Sequence, residues 1–261
     1  MTNDDGFDAP GIHALAHVAR QLSGADVYIV APDVERSGSG HSITLRRRMA
    51  IDRRGPREWA IGGTPADCVR VGIHALLPGR PDLVLSGANR GYNLGTDVYY
   101  SGTVSAAIEA TVSGLPAVSV SEEDPGDRQT LLGPLLPWLP RLLRSVSEEG
   151  LPDSTLLNVN VPRRQPCLGV RVTQLGVRRY SDRFEQLTDE EGRRYFWLGG
   201  GPAPTPNRPG TDVFAIERGY VSVTPILLEL THRDYLPVLR SWVDQNVNRT
   251  HDETLSDATP V

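Results

Sequence analysis

The segment from Pro81 to Gly114, PDLVLSGANRGYNLGTDVYYSGTVSAAIEATVSG, constrains the fold of this chain more than any other. It opens with a short apolar run, Leu83 to Leu85, fenced by Pro81-Asp82 and Ser86-Gly87, which suits a buried parallel strand. It closes with Val104, Ala107, Ile108 and Val112 at helical spacing, followed by Gly114 and Pro116 as stop signals. Between them lies a loop with Asn89, Gly91, Asn93, Gly95 and Asp97. Glycines let backbone approach a ligand, and amide side chains offer neutral oxygens and N–H donors. Ser101-Gly102-Thr103 falls where a helix presents unpaired N–H groups and a positive dipole end, the usual seat of a phosphate. Strand, ligand loop and helix in that order predict an open α/β sheet that binds at its carboxyl edge. Taken alone, the loop is equally compatible with a Gly/Asn-rich surface excursion.

Composition removes several rivals. The chain has 261 residues, 39% of them hydrophobic and 23% charged, with a net charge of −5. That length holds one large domain or a core with an appendage. The negative balance gives no general attraction to nucleic-acid polymers or an anionic membrane. All 27 basic residues are arginine and none is lysine, so a P-loop, which needs Gly-Lys-Ser/Thr, is excluded. Receiver domains and most haloacid-dehalogenase-type phosphatases lose their usual lysine for the same reason. Two cysteines, Cys68 and Cys167, form neither a disulfide framework nor a thiolate metal spacing. With no apolar run of membrane-spanning length and no signal-peptide pattern at Met1, the expected compartment is the cytoplasm.

The rest of the chain alternates helix and strand in a manner that predicts a Rossmann-like, doubly wound, mostly parallel sheet. Ile12, Leu15, Val18, Ala19 and Leu22 share one helical face between Gly11 and Leu22. His13 and His17 lie four apart there, but HALAH lacks the glutamate of a zinc-protease motif, so an exposed face is expected. Val27 to Ala31 reads as a strand, followed by a Gly/Ser-rich loop from Asp33 to Ser42. Arg46-Arg47-Arg48, with Arg53 and Arg54, reads as a solvated strand or loop face. Thr64-Pro65-Ala66-Asp67 has the spacing of a capping box with proline at the first helical position. Ala117 to Val120 and Leu156 to Val161 read as strands, and Leu131 to Val146 as a proline-interrupted helix. From about Arg171 the pattern becomes that of β-hairpins at Val172–Leu175, Tyr195–Leu198 and Tyr220–Thr224. A loop over Gly199–Gly210 and a helix over Asp234–Val243 complete the reading. The expected organisation is a core over 1–165, a β-rich oligomerisation segment with a C-terminal helix over 166–245, and a disordered tail over 246–261.

Asp4-Asp5-Gly6 taken alone is most simply a turn. Together with Ser37 and Asn89 it gains a second meaning, because all of these follow expected strand ends that share one sheet edge. Two carboxylates, a hydroxyl and an amide oxygen make an all-oxygen set suited to Mg²⁺ or Mn²⁺. A divalent ion beside a phosphate held at Ser101-Gly102-Thr103 implies phosphoester hydrolysis.

Several long motifs in order then resemble one family. They are Thr2-Asn-Asp-Asp-Gly6, Ala31-Pro-Asp-Val-Glu-Arg-Ser37 with Gly40-His-Ser-Ile-Thr44, Gly63-Thr-Pro-Ala-Asp-Cys-Val69, and Ser86-Gly-Ala-Asn-Arg-Gly91 continuing to Asp97-Val-Tyr-Tyr-Ser-Gly-Thr-Val104. Leu157-Asn-Val-Asn-Val-Pro162 and Gly219-Tyr-Val-Ser-Val-Thr-Pro225 extend the similarity, which spans roughly residues 2 to 243 and is to the SurE family. The resemblance implies a metal-dependent 5′-nucleotidase acting on nucleoside monophosphates, with 3′-nucleotides and short polyphosphate as further substrates. It implies one divalent ion per subunit, Mg²⁺ or Mn²⁺, held by Asp4, Asp5, Ser37 and Asn89. Asp4 or Asp5 would orient or deprotonate water, and Asn93, Ser101, Gly102 and Thr103 would hold the phosphoryl oxygens. It also implies a C-terminal β arm that builds a homodimer or homotetramer.

One departure stands out. Family members carry an apolar strand before Thr-Asn-Asp-Asp-Gly, and here only Met1 precedes Thr2. The expectation is a first strand missing from this N-terminus through a start assigned too late. If the shorter chain is real, the competing reading is a non-catalytic nucleotide- or metal-binding module. A phosphatase for polyphosphate or a sugar phosphate is a further alternative.

Overall fold

A computed structural model describes residues 1–123, 138–162, 167–206 and 208–248. The chain divides into two compact units, Met1–Leu227 and Leu228–Val261. The first unit contains the sheet system and all the sequence-predicted site residues.

Helix α1 (Pro10–Ala19) starts on a proline, whose missing N–H costs nothing in the first turn, and buries Ile12, Leu15, Ala16, Val18 and Ala19. His13 and His17 are exposed, as their spacing predicts. Strand β1 (Ile29–Pro32) is wholly buried. The Arg-rich segment then folds into a hairpin of β2 (Ile51–Gly55) and β3 (Glu58–Ile61), with β3 parallel to β1 and antiparallel to β2. Sequence periodicity shows only a solvated stretch here, because β2 is an exposed edge strand with no apolar alternation. Helix α2 (Pro65–Val71) has the predicted capping box. The Thr64 hydroxyl accepts from Asp67 N, and Asp67 accepts from Thr64 N.

Strand β4 (Val84–Arg90), helix α3 (Gly102–Val112), strand β5 (Ala117–Glu122), helix α4 (Leu139–Glu149) and strand β6 (Thr155–Val161) continue the alternation. β4, β5 and β6 are parallel neighbours. The edge is completed by β12 (Val221–Leu227), antiparallel to β6, and β7 (Val170–Val172), parallel to β12. α4 begins at Leu139; the earlier part of the predicted helix, 131–137, lies outside the described residues. Leu15, Val18, Val118, Leu139, Leu143, Val159 and Val221 form the main core between the helices and this sheet.

The two sheets meet across Met1 and Thr2. The Met1 amine donates to Tyr28 O at 2.7 Å, and Val30 N donates to Met1 O at 2.9 Å. On the other side Thr2 N donates to Leu85 O at 3.0 Å, and Gly87 N donates to Thr2 O at 2.8 Å. Two residues thus act as a strand fragment between β1 and β4. Each backbone bond adds only a modest net increment, but together they fix where Asn3, Asp4 and Asp5 leave the sheet.

Beyond β6 the exposed hairpin β9 (Arg183–Thr188) and β10 (Arg194–Gly199) pairs antiparallel, next to the short pair β8 (Arg179–Tyr180) and β11 (Pro202–Ala203). β11 lies inside the stretch expected to be loop. Helix α5 (Asp212–Glu217), too short for a periodic signal, is capped by Thr211. In the second unit, α6 (Leu236–Val243) matches the predicted final helix; the tail from 249 onward lies outside the described residues. Among the described residues no helix is long and apolar enough to cross a membrane.

Leu143 on α4 is fully buried in the main core. Leu143→Ala leaves a cavity there and should lower unfolding free energy by about 2–5 kcal/mol, read from urea denaturation midpoints. A loss under about 1 kcal/mol would mean that the site collapses freely.

Candidate active site

The site lies where Asp4 and Asp5, the loop after β1, the end of β4 and the start of α3 come together. Gly6, at φ +98°, turns the chain back after the aspartates, and a Cβ there would lie 3.2 Å from the Val34 carbonyl carbon. Asn3 tightens the turn by donating to Gly6 O at 2.8 Å. The Asp4 carbonyl accepts from Arg36 N at 2.7 Å, which ties the first loop to the second.

Asp4 is buried, and its Oδ1 accepts from the Thr103 hydroxyl at 2.5 Å. Backbone amides of Gly102 and Thr103 also favour its charged form. The start of α3 therefore already faces an anion, the Asp4 carboxylate. Gly102 permits this approach, since a Cβ there would sit 2.8 Å from Asp4 Cβ, 2.9 Å from Asp4 Oδ2 and 3.0 Å from Ser39 Oγ. Asp5 is half-buried and accepts from Arg90 N at 2.9 Å. Asn89, one residue earlier on β4, donates its Nδ2 to Gly91 O at 2.9 Å, which directs its Oδ1 the other way. Ser37 is exposed and donates to Glu35 Oε1 at 2.9 Å, keeping its lone pairs open.

Burial pushes the Asp4 carboxyl above its ordinary range, against the hydrogen bonds from Thr103 and Gly102. Asp5 is pushed up to about 6, first by burial and then by repulsion from Asp4 and Glu35, with the Arg90 amide opposing. Among the described residues no arginine forms an ion pair with Asp4. Two neighbouring carboxylates raised by burial, Asp5 also by repulsion from Asp4, are what a divalent cation would neutralise.

The residues fit such an ion. All available donors are oxygens, the preference of Mg²⁺ and Mn²⁺. Ser39 Oγ, beside Asp4 and Gly102, is buried without a hydrogen-bond partner, a polar atom waiting for a ligand or water. Among the described residues no group of three or more His, Cys, Asp or Glu is placed to hold a metal. An ion here would therefore depend on the neutral oxygens of Ser37 and Asn89 as well as on the two aspartates.

The expected phosphate contacts have distinct settings. Ser101 caps α3, its Oγ accepting from Val104 N at 3.0 Å. Thr103 is fully buried with its hydroxyl on Asp4. Asn93 is nearly covered, its Nδ2 donating to Ser121 Oγ at 2.7 Å. Its backbone is gripped from β6: Asn93 N donates to Asn160 Oδ1 at 2.8 Å, and Asn158 and Asn160 donate to Asn93 O at 2.8 and 3.0 Å. Sequence reasoning missed this support. Its signal is two asparagines two apart in an otherwise aliphatic strand, hence on one face.

Asp97 and Asp212 also escaped notice as organisers. Asp97 accepts from Arg178 Nη1 at 2.6 Å and from the Tyr180 hydroxyl at 2.8 Å. Burial, then Asp97, pushes that phenol up to about 12. Asp212 accepts from Gly95 N and Gly176 N, at 2.8 and 2.7 Å. The loop after β4 is thus held by residues 81 to 117 positions away. No local pattern reveals such pairings.

Known proteins are similar to this chain over nearly its whole length. The family model described as Survival protein SurE matches residues 1–182. A 5′-nucleotidase SurE of Geobacter metallireducens is 47% identical over 93% of this chain and 96% of its own. One from Pelotomaculum thermopropionicum is 48% identical over 88% of this chain and 89% of its own. The crystal structure of a SurE protein from Aquifex aeolicus superposes with a TM-score of 0.78 at 36% identity, covering 92% of this chain and 97% of that one. Matches of this extent place the chain in the SurE family.

Proposed function

We propose that this protein is a divalent-metal-dependent phosphomonoesterase that hydrolyses nucleoside 5′-monophosphates to nucleoside and phosphate. The observation that carries it is the Asp4–Asp5 pair, one buried and one half-buried, both carboxyls raised first by burial and hydrogen-bonded to the start of α3 and the end of β4. Relatives similar over most of the chain bear the name 5′-nucleotidase, which supports the same reading. A non-catalytic binding module is the less favoured alternative, because the oxygen-donor set is complete.

Asp4, Asp5, Ser37 and Asn89 would hold one Mg²⁺ or Mn²⁺. Such an ion supplies Lewis acidity toward a phosphoryl oxygen and lowers the pKa of attacking water. Asp5, the more exposed aspartate, orients that water and takes its proton. Hydrogen bonds from Thr103 and Gly102 favour the charged form of Asp4 against its burial. The Ser101 hydroxyl offers a neutral donor to phosphoryl oxygens, while the main chain at Gly102 and the Thr103 hydroxyl act through Asp4. Asn93 contributes by holding the loop, since its amide is engaged with Ser121. The substrate range extends to 3′-nucleotides and short polyphosphate.

The exposed apolar face of β9 and β10, with Phe184, Phe196 and Leu198, suits pairing with a second copy in a homodimer or homotetramer, and the expected compartment is the cytoplasm. The test is phosphate release from a panel of 5′- and 3′-nucleoside monophosphates with Mg²⁺, Mn²⁺ or EDTA. The expected result is metal-dependent release, highest on 5′-nucleotides and abolished by EDTA. Tight nucleotide binding by folded protein without release would favour the binding module instead.

A further inference from the structure

Glu109 is a charge in an unexpected place. It lies two turns into α3, its side chain is 5% exposed, and its carboxylate bridges two other elements. Arg70 of α2 donates to Oε1 at 2.9 Å, and His41 Nε2 lies 2.8 Å from Oε2. A buried carboxylate is tolerated only when paired and hydrogen-bonded, and Glu109 is paired on both oxygens. None of these three residues belongs to the set that would hold metal or phosphate.

His41 lies on the loop that carries Ser37. That loop touches the rest of the site at few points. Arg36 N donates to Asp4 O at 2.7 Å, and Gly40 N donates to Tyr100 O at 3.1 Å. Between these anchors Gly38 and Gly40 both have positive φ, and a Cβ on Gly38 would meet nothing within 4 Å. Ser37 therefore has little packing of its own. Its position is set by what grips the two ends of its segment, and the side-chain grips at the far end are His41 on Glu109 and, one residue later, the Thr64 hydroxyl on Ser42 O at 2.7 Å. Thr44, three residues on, is fastened by two bonds to Asp67 of α2, so the downstream chain is rigid in its own right.

The geometry points to His41, Glu109 and Arg70 as a latch that pre-orders the Ser37 loop over the aspartates, making His41 a positioning residue for metal and substrate binding. This rests on the metal-dependent reading of the site. Each loop residue left free must be ordered again on binding, at a conformational cost that weakens affinity. The latch works through a hydrogen bond to a fixed carboxylate, so a neutral donor of similar reach can replace the imidazole. Glutamine is that donor.

The experiment compares wild type, His41→Ala and His41→Gln by three readouts. Hydrogen exchange over residues 33–44 reports loop order without metal. Titration calorimetry with Mn²⁺ reports affinity without turnover. Steady-state assays separate KM from kcat. In His41→Ala we expect loop exchange to rise about tenfold, Mn²⁺ affinity to fall about tenfold, and KM to rise more than kcat falls. His41→Gln should stay within about threefold of wild type on each. Unchanged exchange and Mn²⁺ affinity in His41→Ala overturn the latch, as does equal damage in both variants. A wild type that binds Mn²⁺ yet hydrolyses no nucleotide sinks the proposed activity instead, while exchange and calorimetry still judge the latch.

Discussion

Asp4→Asn should abolish most phosphate release, by on the order of 10²–10³-fold, while the metal-free protein stays as stable as wild type or becomes more so. Both effects have one origin. The Asp4 carboxyl is held above its ordinary range by burial, so its charge opposes folding when no cation is present. Asparagine keeps an oxygen to accept the 2.5 Å bond from Thr103 and removes the charge. Activity loses a ligand and fold loses a penalty. Equal activity in a folded Asp4→Asn protein would remove Asp4 from the site. A large fall in melting temperature without metal would show that the carboxylate's hydrogen bonds outweigh its desolvation. The neighbouring carboxyl supplies a pH signature of the same sign. Asp5 rises from 3.8 to about 6 on folding, so between those values the folded state binds more protons than the unfolded. Stability of the metal-free protein should fall as pH rises through that window, and Asp5→Asn should flatten the dependence.

Gly102→Ala should cost nearly as much activity by pure crowding. The added methyl would lie 2.8 Å from Asp4 Cβ and 3.0 Å from Ser39 Oγ, closer than packed atoms tolerate. Gly102 is helical, so alanine introduces no backbone strain and slightly favours the helix. The effect is confined to displacing Asp4 or Ser39. A shift of under 1 Å at a reacting centre can cost about 10²-fold in rate. We expect roughly that loss in kcat/KM, with destabilisation of about 1–3 kcal/mol from overpacking. Removing one neighbour tests the cause: Ser39→Gly in the Gly102→Ala background should recover part of the activity. Wild-type activity in Gly102→Ala would show that the site has slack the distances do not reveal.

The strand–loop–helix segment that opens at Pro81 was legible because each part carries its own local signal. β4 and α3 lie where the apolar run and the helical spacing put them, and the capping box at Thr64 forms as its residue types require. Elements without local signal were not legible. β2 has no buried face to alternate, β9 is exposed throughout, and α5 has only six residues. The division of the chain at Leu227–Leu228 likewise follows contacts rather than composition.

For the candidate site, the sequence by itself supplied the candidate donors. Asp4, Asp5, Ser37 and Asn89 could be singled out because loops after parallel strands share one edge, a consequence of right-handed crossovers that holds whatever the side chains are. Tertiary structure decided how each donor is held. It gave the Thr103 hydroxyl to Asp4, engaged Asn93 with Ser121, and placed Asn158, Asn160, Asp97 and Asp212 under the ligand loop. It also closed His41 and Arg70 on Glu109. Hydrogen bonds between residues far apart in the chain depend on distances of a few tenths of an ångström, which only the packed fold sets.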